Sequence, residues 1–186
     1  MPDFSIETKL QHPVIGLDEV GRGPLAGPVI SCGCYFNSYK IQNEFKDYIG
    51  DSKKLSEKKR AASFKFLQSL KKDGVIQYQL GIANVEEIDQ LNILEATKLS
   101  MKRVVDKFKM ENAYLLIDGN FSLNHKSYRE QSIIKGDNKS LSIAAASIIA
   151  KVHRDRLMKK LSLKFQHFGW EKNAGYGTKI HIENIY

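Results

Sequence analysis

Two adjacent carboxylates at the end of an apolar run place the strongest constraint on how this chain can fold. The apolar run at residues 14–17 has the composition of a buried strand, and Asp18 and Glu19 follow it directly. An ionised carboxylate is costly to remove from water unless a cation or a donor meets it, so two acids here are poor choices for packing. The glycine-rich loop that comes next lets the backbone approach a ligand closely. The sequence therefore predicts a site for divalent metal and phosphate at this strand end.

Two further acids occupy comparable positions later in the chain. Asp118 follows the apolar segment 115–117, and Asp137 precedes a long helical segment that starts near Ser140. Carboxylate oxygens are the ligands that Mg²⁺ and Mn²⁺ prefer, and two such ions can activate water and stabilise the leaving oxygen of a phosphodiester. Taken singly, Asp118 is better explained by a turn at Gly119, and Asp137 by a helix cap. Only a fold that brings the acids together would make them one site.

Composition limits the class of protein and its partners. The chain has 186 residues, 42% of them hydrophobic and 27% charged, which is typical of one globular domain. A net charge of +8 and a pI near 9.3 favour a polyanionic partner such as nucleic acid. The longest apolar stretch, 143–150, is much shorter than the roughly 20 residues that a membrane span needs, and the N-terminus shows no signal-peptide pattern. We therefore expect a cytoplasmic protein.

Hydrophobic periodicity and turn residues predict the order of the secondary-structure elements. Early antiparallel strands are followed by alternating helices and strands, which favours a mixed sheet with helices packed on it. Cys32 and Cys34 lie two apart in a predicted strand, as buried reduced thiols would. A catalytic core over 1–160 and a short helical extension over 161–186, which is not an independent domain, are expected. The predicted strands are 14–19, 28–36, 75–82, 113–117 and 132–134, and the predicted helices are 56–70, 92–109 and 140–160.

Six motifs that occur in order give the chain a specific resemblance. It is similar to type 2 ribonuclease H (ribonuclease HII), and the likeness extends over most of the chain. The motifs are DEVGRGPLAGPV at 18–29, DSKKLS at 51–56, EIDQLN at 87–92, LIDGN at 116–120, KGDNKS with the following helix at 135–152, and GYGT at 175–178.

The resemblance implies an α/β fold, the ribonuclease H-like mixed five-stranded sheet flanked by helices. It also implies a monomeric metal-dependent endonuclease that hydrolyses the RNA strand of RNA–DNA hybrids. Such an enzyme also incises 5′ of ribonucleotides embedded in duplex DNA, and it leaves 3′-hydroxyl and 5′-phosphate ends. The cofactor implied is Mg²⁺ or Mn²⁺, with two ions per site when substrate is bound. The catalytic and metal-binding acids implied by the match are Asp18, Glu19, Asp118 and Asp137.

The resemblance also assigns substrate contacts. The loop Gly21, Arg22 and Gly23 is expected to recognise the ribose 2′-hydroxyl, which is the group that distinguishes RNA from DNA, and to hold the adjacent phosphate. Tyr176 is expected to stack on the same sugar. Phosphate contacts fix position without sequence choice and depend on salt. The further residues expected to contact the duplex are Lys53, Lys139 and Ser140, with Lys151, Arg154 and Arg156 along its path.

Two alternatives remain open on the sequence. A type 3 ribonuclease H relative typically carries an extra N-terminal domain and lacks the loop arginine, whereas here the acids begin at residue 18 and Arg22 is present. A catalytically silent hybrid-binding module would need basic residues but not four acids. Members of the resembled family usually continue into a basic tail after GYGT, and this chain stops at Tyr186. Modest duplex affinity is therefore expected.

Overall fold

A single mixed sheet forms the centre of the molecule. The computed structural model describes residues 1–39, 48–49 and 55–185. The strand order is β3-β2-β1-β4-β5; the pairs β1–β2 and β2–β3 are antiparallel, while β1–β4 and β4–β5 are parallel. This arrangement confirms the predicted mixed five-stranded sheet. The strands are β1 (Val14–Val20), β2 (Val29–Phe36), β3 (Ile76–Ala83), β4 (Tyr114–Asp118) and β5 (Arg129–Ile133).

Helices cover the sheet and form the C-terminal part. None of the helices within the described ranges is long and apolar enough to cross a membrane. Short 3-10 turns occur at Glu7–Lys9, Gly136–Asn138 and Gln166–Phe168. The α-helices of the described residues are α1 (Glu57–Lys72), α2 (Val85–Leu91), α3 (Ile93–Val105), α4 (Leu141–Ser162), α5 (Trp170–Asn173) and α6 (Lys179–Glu183).

The segment predicted as one helix over 92–109 is helix α3, which begins one residue later and ends four residues earlier than predicted. Asn92 has a positive φ of 71°, which separates α2 from α3, and its side chain accepts hydrogen bonds from the N–H groups of Leu94 and Glu95. Helix α2 was not predicted. It starts with a reciprocal capping box between Asn84 and Glu87, a pattern that is visible in the sequence.

Each face of the sheet has its own apolar core. Helices α1 and α4 pack on the face that carries Cys32 and Cys34, and both thiols are buried and free, as predicted. Helix α3 packs on the opposite face. Strand β1 and helix α4 approach closely at Gly16, where a Cβ atom would lie 2.4 Å from the backbone nitrogen of Ile143. The small residues of α4 at 144–146 are fully buried. This contact fixes the strand that carries Asp18 against the longest helix.

The N-terminal segment is fastened to the start of α4 by a buried acid. Glu7 is inaccessible to solvent, and its Oε1 atom accepts hydrogen bonds from the hydroxyls of Ser140 (2.6 Å) and Ser142 (2.7 Å). The backbone N–H of Ser142 donates to the same atom at 3.1 Å. A carboxylate at a helix N-terminus is favoured by the helix dipole. Glu7 therefore stabilises the beginning of α4, directly after Asp137, and sequence patterns gave no signal for this role.

Candidate active site

Parallel pairing of β1 and β4 brings two of the predicted acids to the same edge of the sheet. Leu17 pairs with Ile117, so Asp18 and Asp118 follow at neighbouring carboxyl ends, where open α/β sheets place ligands. The Oδ1 atom of Asp118 accepts a hydrogen bond of 2.6 Å from the N–H of Gly136. Asp137 is the next residue along the chain, so this bond brings the third acidic segment to the same strand ends.

The environment of Asp18 disfavours its charge. Burial raises the pKa of Asp18 well above its usual range, and the neighbouring carboxylates of Glu19 and Asp118 raise it further. Hydrogen bonds from the Ser147 hydroxyl and the Glu19 N–H act in the opposite direction. The Glu19 N–H is 2.7 Å from Oδ1, whereas the buried Oδ2 has no hydrogen-bond partner among the residues that the structure describes. A buried acceptor without a donor is a place where a cation would be stabilised.

The other two acids are engaged with neighbouring side chains. Glu19 forms an ion pair of 3.3 Å with Arg22, and the Asp137 carboxylate accepts a hydrogen bond of 2.9 Å from the Asn138 amide. Within the described ranges, no three Asp, Glu, His or Cys side chains are grouped so that they could hold a metal ion. The donors nevertheless fit a hard divalent cation in their chemistry, because all are carboxylate oxygens and Asp18 Oδ2 is buried without a partner among the described residues.

The glycine-rich loop and the C-terminal tyrosine lie side by side. A Cβ atom on Gly23 would be 3.5 Å from a ring carbon of Tyr176, and both residues are exposed. Gly21 has a positive φ of 114°, a conformation that glycine adopts without strain. The guanidinium of Arg22 lies 5.5 Å from the ring centroid of Phe121, on the loop after β4. Gly21 is buried, whereas Arg22, Gly23 and Tyr176 form one exposed surface near the acids.

His181, to which the sequence assigned no role, holds the Tyr176 loop. The indole N–H of Trp170 can only donate, so the Nε2 atom of His181, 3.2 Å away, accepts from it. The Nδ1–H of His181 then donates to the Tyr176 carbonyl oxygen at 2.9 Å. His181 is buried. A histidine two residues before Glu183 in a short terminal segment carries no pattern that would predict this contact.

The basic and polar residues that were expected to contact the duplex differ in their exposure to solvent. Lys139 is exposed, and Lys53 lies outside the described residues. Ser140 is fully buried; its hydroxyl donates to Glu7 and accepts from the N–H of Ile143 as the cap of α4. A substrate contact by Ser140 is therefore not supported. Lys151 forms an ion pair of 2.7 Å with Asp155.

The expectation that Arg154 lines the duplex path was wrong. The side chain is fully buried, and its three nitrogen atoms donate to three backbone carbonyl oxygens. Burial lowers the pKa of its guanidinium, and the nearby Tyr176 and Asp155 oppose that shift. A signal was available in the sequence. Arg154 lies four residues from both Ala150 and Met158, and so on the apolar stripe of the helix.

The fold identifies the class of protein, because it is that of the ribonuclease H-like nucleases. The ribonuclease HII of Archaeoglobus fulgidus, solved in a complex with PCNA, aligns with a TM-score of 0.74 at 26% identity, covering 93% of this chain and 86% of that one. Bst-RNase HIII, solved in complex with Mn²⁺, aligns with a TM-score of 0.63 at 19% identity, covering 89% of this chain and 59% of that one. The second likeness shows a common fold.

Sequence comparison then defines the family. The family model described as Ribonuclease HII matches residues 15–186. A ribonuclease HII of Wolbachia pipientis wMel is 50% identical over 184 residues, covering 99% of this chain and 88% of the relative. The chain belongs to the ribonuclease HII family. It is an endoribonuclease that hydrolyses the RNA strand of RNA–DNA hybrids, and the type 3 alternative is excluded by this membership.

Proposed function

We propose that this ribonuclease HII also incises duplex DNA on the 5′ side of an embedded ribonucleotide, and that cleavage leaves 3′-hydroxyl and 5′-phosphate ends. The observation that carries the proposal is the meeting of Asp18 and Asp118 at adjacent strand ends, with a buried Asp18 oxygen that has no partner among the described residues. Beside them lie the exposed residues Arg22, Gly23 and Tyr176, which can contact a single ribose.

The four acids Asp18, Glu19, Asp118 and Asp137 are proposed to hold divalent metal, Mg²⁺ or Mn²⁺. When bound, a pair of such ions lowers the pKa of a coordinated water and neutralises charge on the phosphate. The remaining work belongs to the chain itself. The ion pair engages one carboxylate oxygen of Glu19, and Arg22 is proposed to turn from it to the phosphate that the loop holds. The Asp118–Gly136 hydrogen bond keeps one carboxylate oriented.

Ribose recognition is proposed to come from the loop 21–23 together with Tyr176. The 2′-hydroxyl is both donor and acceptor, so backbone groups of an exposed glycine-rich loop can bond to it while the tyrosine ring covers the sugar. Lys139, exposed beside Asp137, is proposed to contact a phosphate. Lys53 is proposed to do the same. These basic contacts set position along the duplex and carry no sequence preference.

Replacing single acids tests the assignment. Asp18→Asn and Asp118→Asn should each abolish cleavage of an RNA–DNA hybrid, because metal ligation needs ionised oxygen, while binding of the hybrid is retained or becomes tighter as repulsion of the phosphates falls. Asp106→Asn, at an exposed acid beside His125, is the matched control and should keep wild-type activity. Binding is measured in EDTA and cleavage in Mg²⁺. Wild-type turnover by either active-site variant would refute the four-acid assignment.

A further inference from the structure

The buried guanidinium of Arg154 connects two loops of the proposed substrate surface. Its Nε donates to the Pro28 carbonyl at 2.9 Å and its Nη2 to the Ala26 carbonyl at 2.8 Å, both in the segment that follows the loop 21–23. Its Nη1 donates to the Ala174 carbonyl at 2.8 Å, two residues before Tyr176. One side chain of α4 thus contacts both segments that are proposed to surround the ribose.

Direct backbone contacts complete this connection. The Gly175 carbonyl accepts hydrogen bonds from the N–H groups of Leu25 (2.9 Å) and Ala26 (3.3 Å). Gly175 has a positive φ of 86°, and a Cβ atom there would lie 2.4 Å from the Ala26 carbonyl oxygen. A Cβ atom on Gly21 would lie 2.7 Å from Arg154 Nε. The loops are therefore in contact with each other and with the arginine at close range.

The chemistry of this position requires arginine. The planar guanidinium presents donors in a fixed fork, so three bonds fix the relative positions of three carbonyl groups. The ammonium group of a lysine is a compact point charge and does not present donors in this fixed fork. Burying a cation is costly unless it is fully hydrogen-bonded, and an apolar residue in its place would leave buried carbonyls without donors. If this position served only the packing of α4, an apolar side chain would be sufficient.

We propose that Arg154 is a positioning residue for ribose selection, holding the loop 21–23 and Tyr176 at the separation that one 2′-hydroxyl requires. The inference rests on the proposed function, because it presupposes that this surface contacts the ribose. A single embedded ribonucleotide offers one point of recognition, whereas a long hybrid offers many registers. Disturbing the separation therefore affects the first substrate more than the second.

The test compares both substrates for Arg154→Lys, Tyr176→Ala and their combination. Arg154→Lys is expected to lower kcat/KM for a duplex with one ribonucleotide about tenfold more than for a long hybrid, since small misplacements of contacting groups are costly. The double variant should lose less than the sum of the two single losses, because residues that act through the same contact are not additive. Ile149→Val, which removes one buried methyl group from the same helix, should lower both activities equally or not at all.

A second variant keeps the test decisive if Arg154→Lys fails to fold. Gly175→Ala forces the two loops apart without changing the arginine, and it should give the same substrate-selective loss. Equal losses on both substrates, or strictly additive effects in the double variant, would overturn the positioning role. If the wild-type enzyme itself left the single-ribonucleotide duplex uncut in Mg²⁺, the proposed function would fail instead, and that outcome is seen before any variant is made.

Discussion

At the scale of single residues, the acids of the site lie in different electrostatic environments. Asp18 is buried beside two other carboxylates, which raises its pKa, while Glu19 is balanced by Arg22 at 3.3 Å. Such an exposed ion pair contributes little stability, roughly 0–1 kcal/mol, and so it opens easily. Arg22 is thus well placed to exchange Glu19 for a substrate phosphate.

Tyr176 gives the residue-scale prediction. Tyr176→Ala should reduce cleavage beside a single embedded ribonucleotide more than cleavage of a long hybrid, because the lone ribose has no alternative register. Tyr176→Phe is the matched variant: it keeps the ring and removes the hydroxyl, so it should lose less activity if stacking on the sugar dominates. Competition between the two substrates in one reaction measures the ratio. Equal losses on both would mean that Tyr176 acts generally and does not select ribose.

The residue types of the site could be predicted from the sequence, but the hydrogen-bond partners of these residues could not. Asp18 and Glu19 stand out in the sequence because a strand end seldom carries two acids without a reason. The contact between Asp118 and the Gly136 N–H depends on the register of β4 and on the turn after β5, and no local pattern encodes it. Arg154 was misassigned because a basic residue on a helix is usually solvated, whereas tertiary contacts here bury it.

At the scale of elements, α3 protects the edge of the sheet. Strand β3 is an edge strand, and an unpaired strand edge invites association with other chains. Arg103 donates to the Ile82 carbonyl at 2.7 Å, and Lys107 donates to the Leu80 carbonyl at 2.6 Å. Arg103 also binds both carboxylate oxygens of Glu87, at 2.6 and 2.8 Å, which ties α2 to α3.

The Glu87 contacts predict a pH dependence of stability. Hydrogen bonds from Arg103 and the Asn84 backbone lower the pKa of Glu87 to about 2 in the folded chain, against about 4.3 when unfolded. A carboxyl whose pKa is depressed by folding stabilises the protein above its unfolded pKa, and that contribution is lost as the pH falls toward the folded value. Glu87→Gln should therefore lower the Tm near neutral pH, and the difference from wild type should shrink between about pH 4.3 and about pH 2.

Thermal unfolding of both proteins over this pH range provides the measurement. Glu86→Gln, at an exposed acid in the same turn of α2, is the control and should leave the Tm nearly unchanged at every pH. A Tm difference for Glu87→Gln that stays constant down to about pH 2 would show that the charge of Glu87 is not what stabilises α2.

The main elements were predictable because their patterns are local. The hairpin of β1 and β2, helix α1 and helix α4 fall within two residues of the predicted bounds, since strand alternation, caps and apolar spacing define them. The predicted helix start at residue 92 lies one residue before α3, whereas helix α2 was not predicted even though its capping box is a local pattern. The strand order β3-β2-β1-β4-β5 joins distant segments and was not predicted, because local patterns do not encode strand pairing; the resemblance implied only a mixed five-stranded sheet.

At the scale of the whole molecule, the net charge of +8 predicts salt-dependent binding. Each phosphate contact that is lost should reduce the slope of log affinity against log salt by about one unit. Lys139→Ala should reduce this slope by about one unit for an uncleavable hybrid. Lys98→Ala is the control, because its amine pairs with Glu95 on α3, and it should keep the wild-type slope. Indistinguishable slopes for both variants and wild type would remove Lys139 from the duplex interface.

The central claim is that the acids at the strand ends and the neighbouring ribose-contacting surface together cut beside a single ribonucleotide. The most direct measurement is cleavage of a DNA duplex with one embedded ribonucleotide, with end analysis of the products. In Mg²⁺ the account predicts one incision 5′ of the ribonucleotide, with 3′-hydroxyl and 5′-phosphate ends, and none in EDTA, with Asp18→Asn, or on an all-DNA duplex. Incision by the Asp18→Asn variant, or equal cutting of the all-DNA duplex, would contradict it.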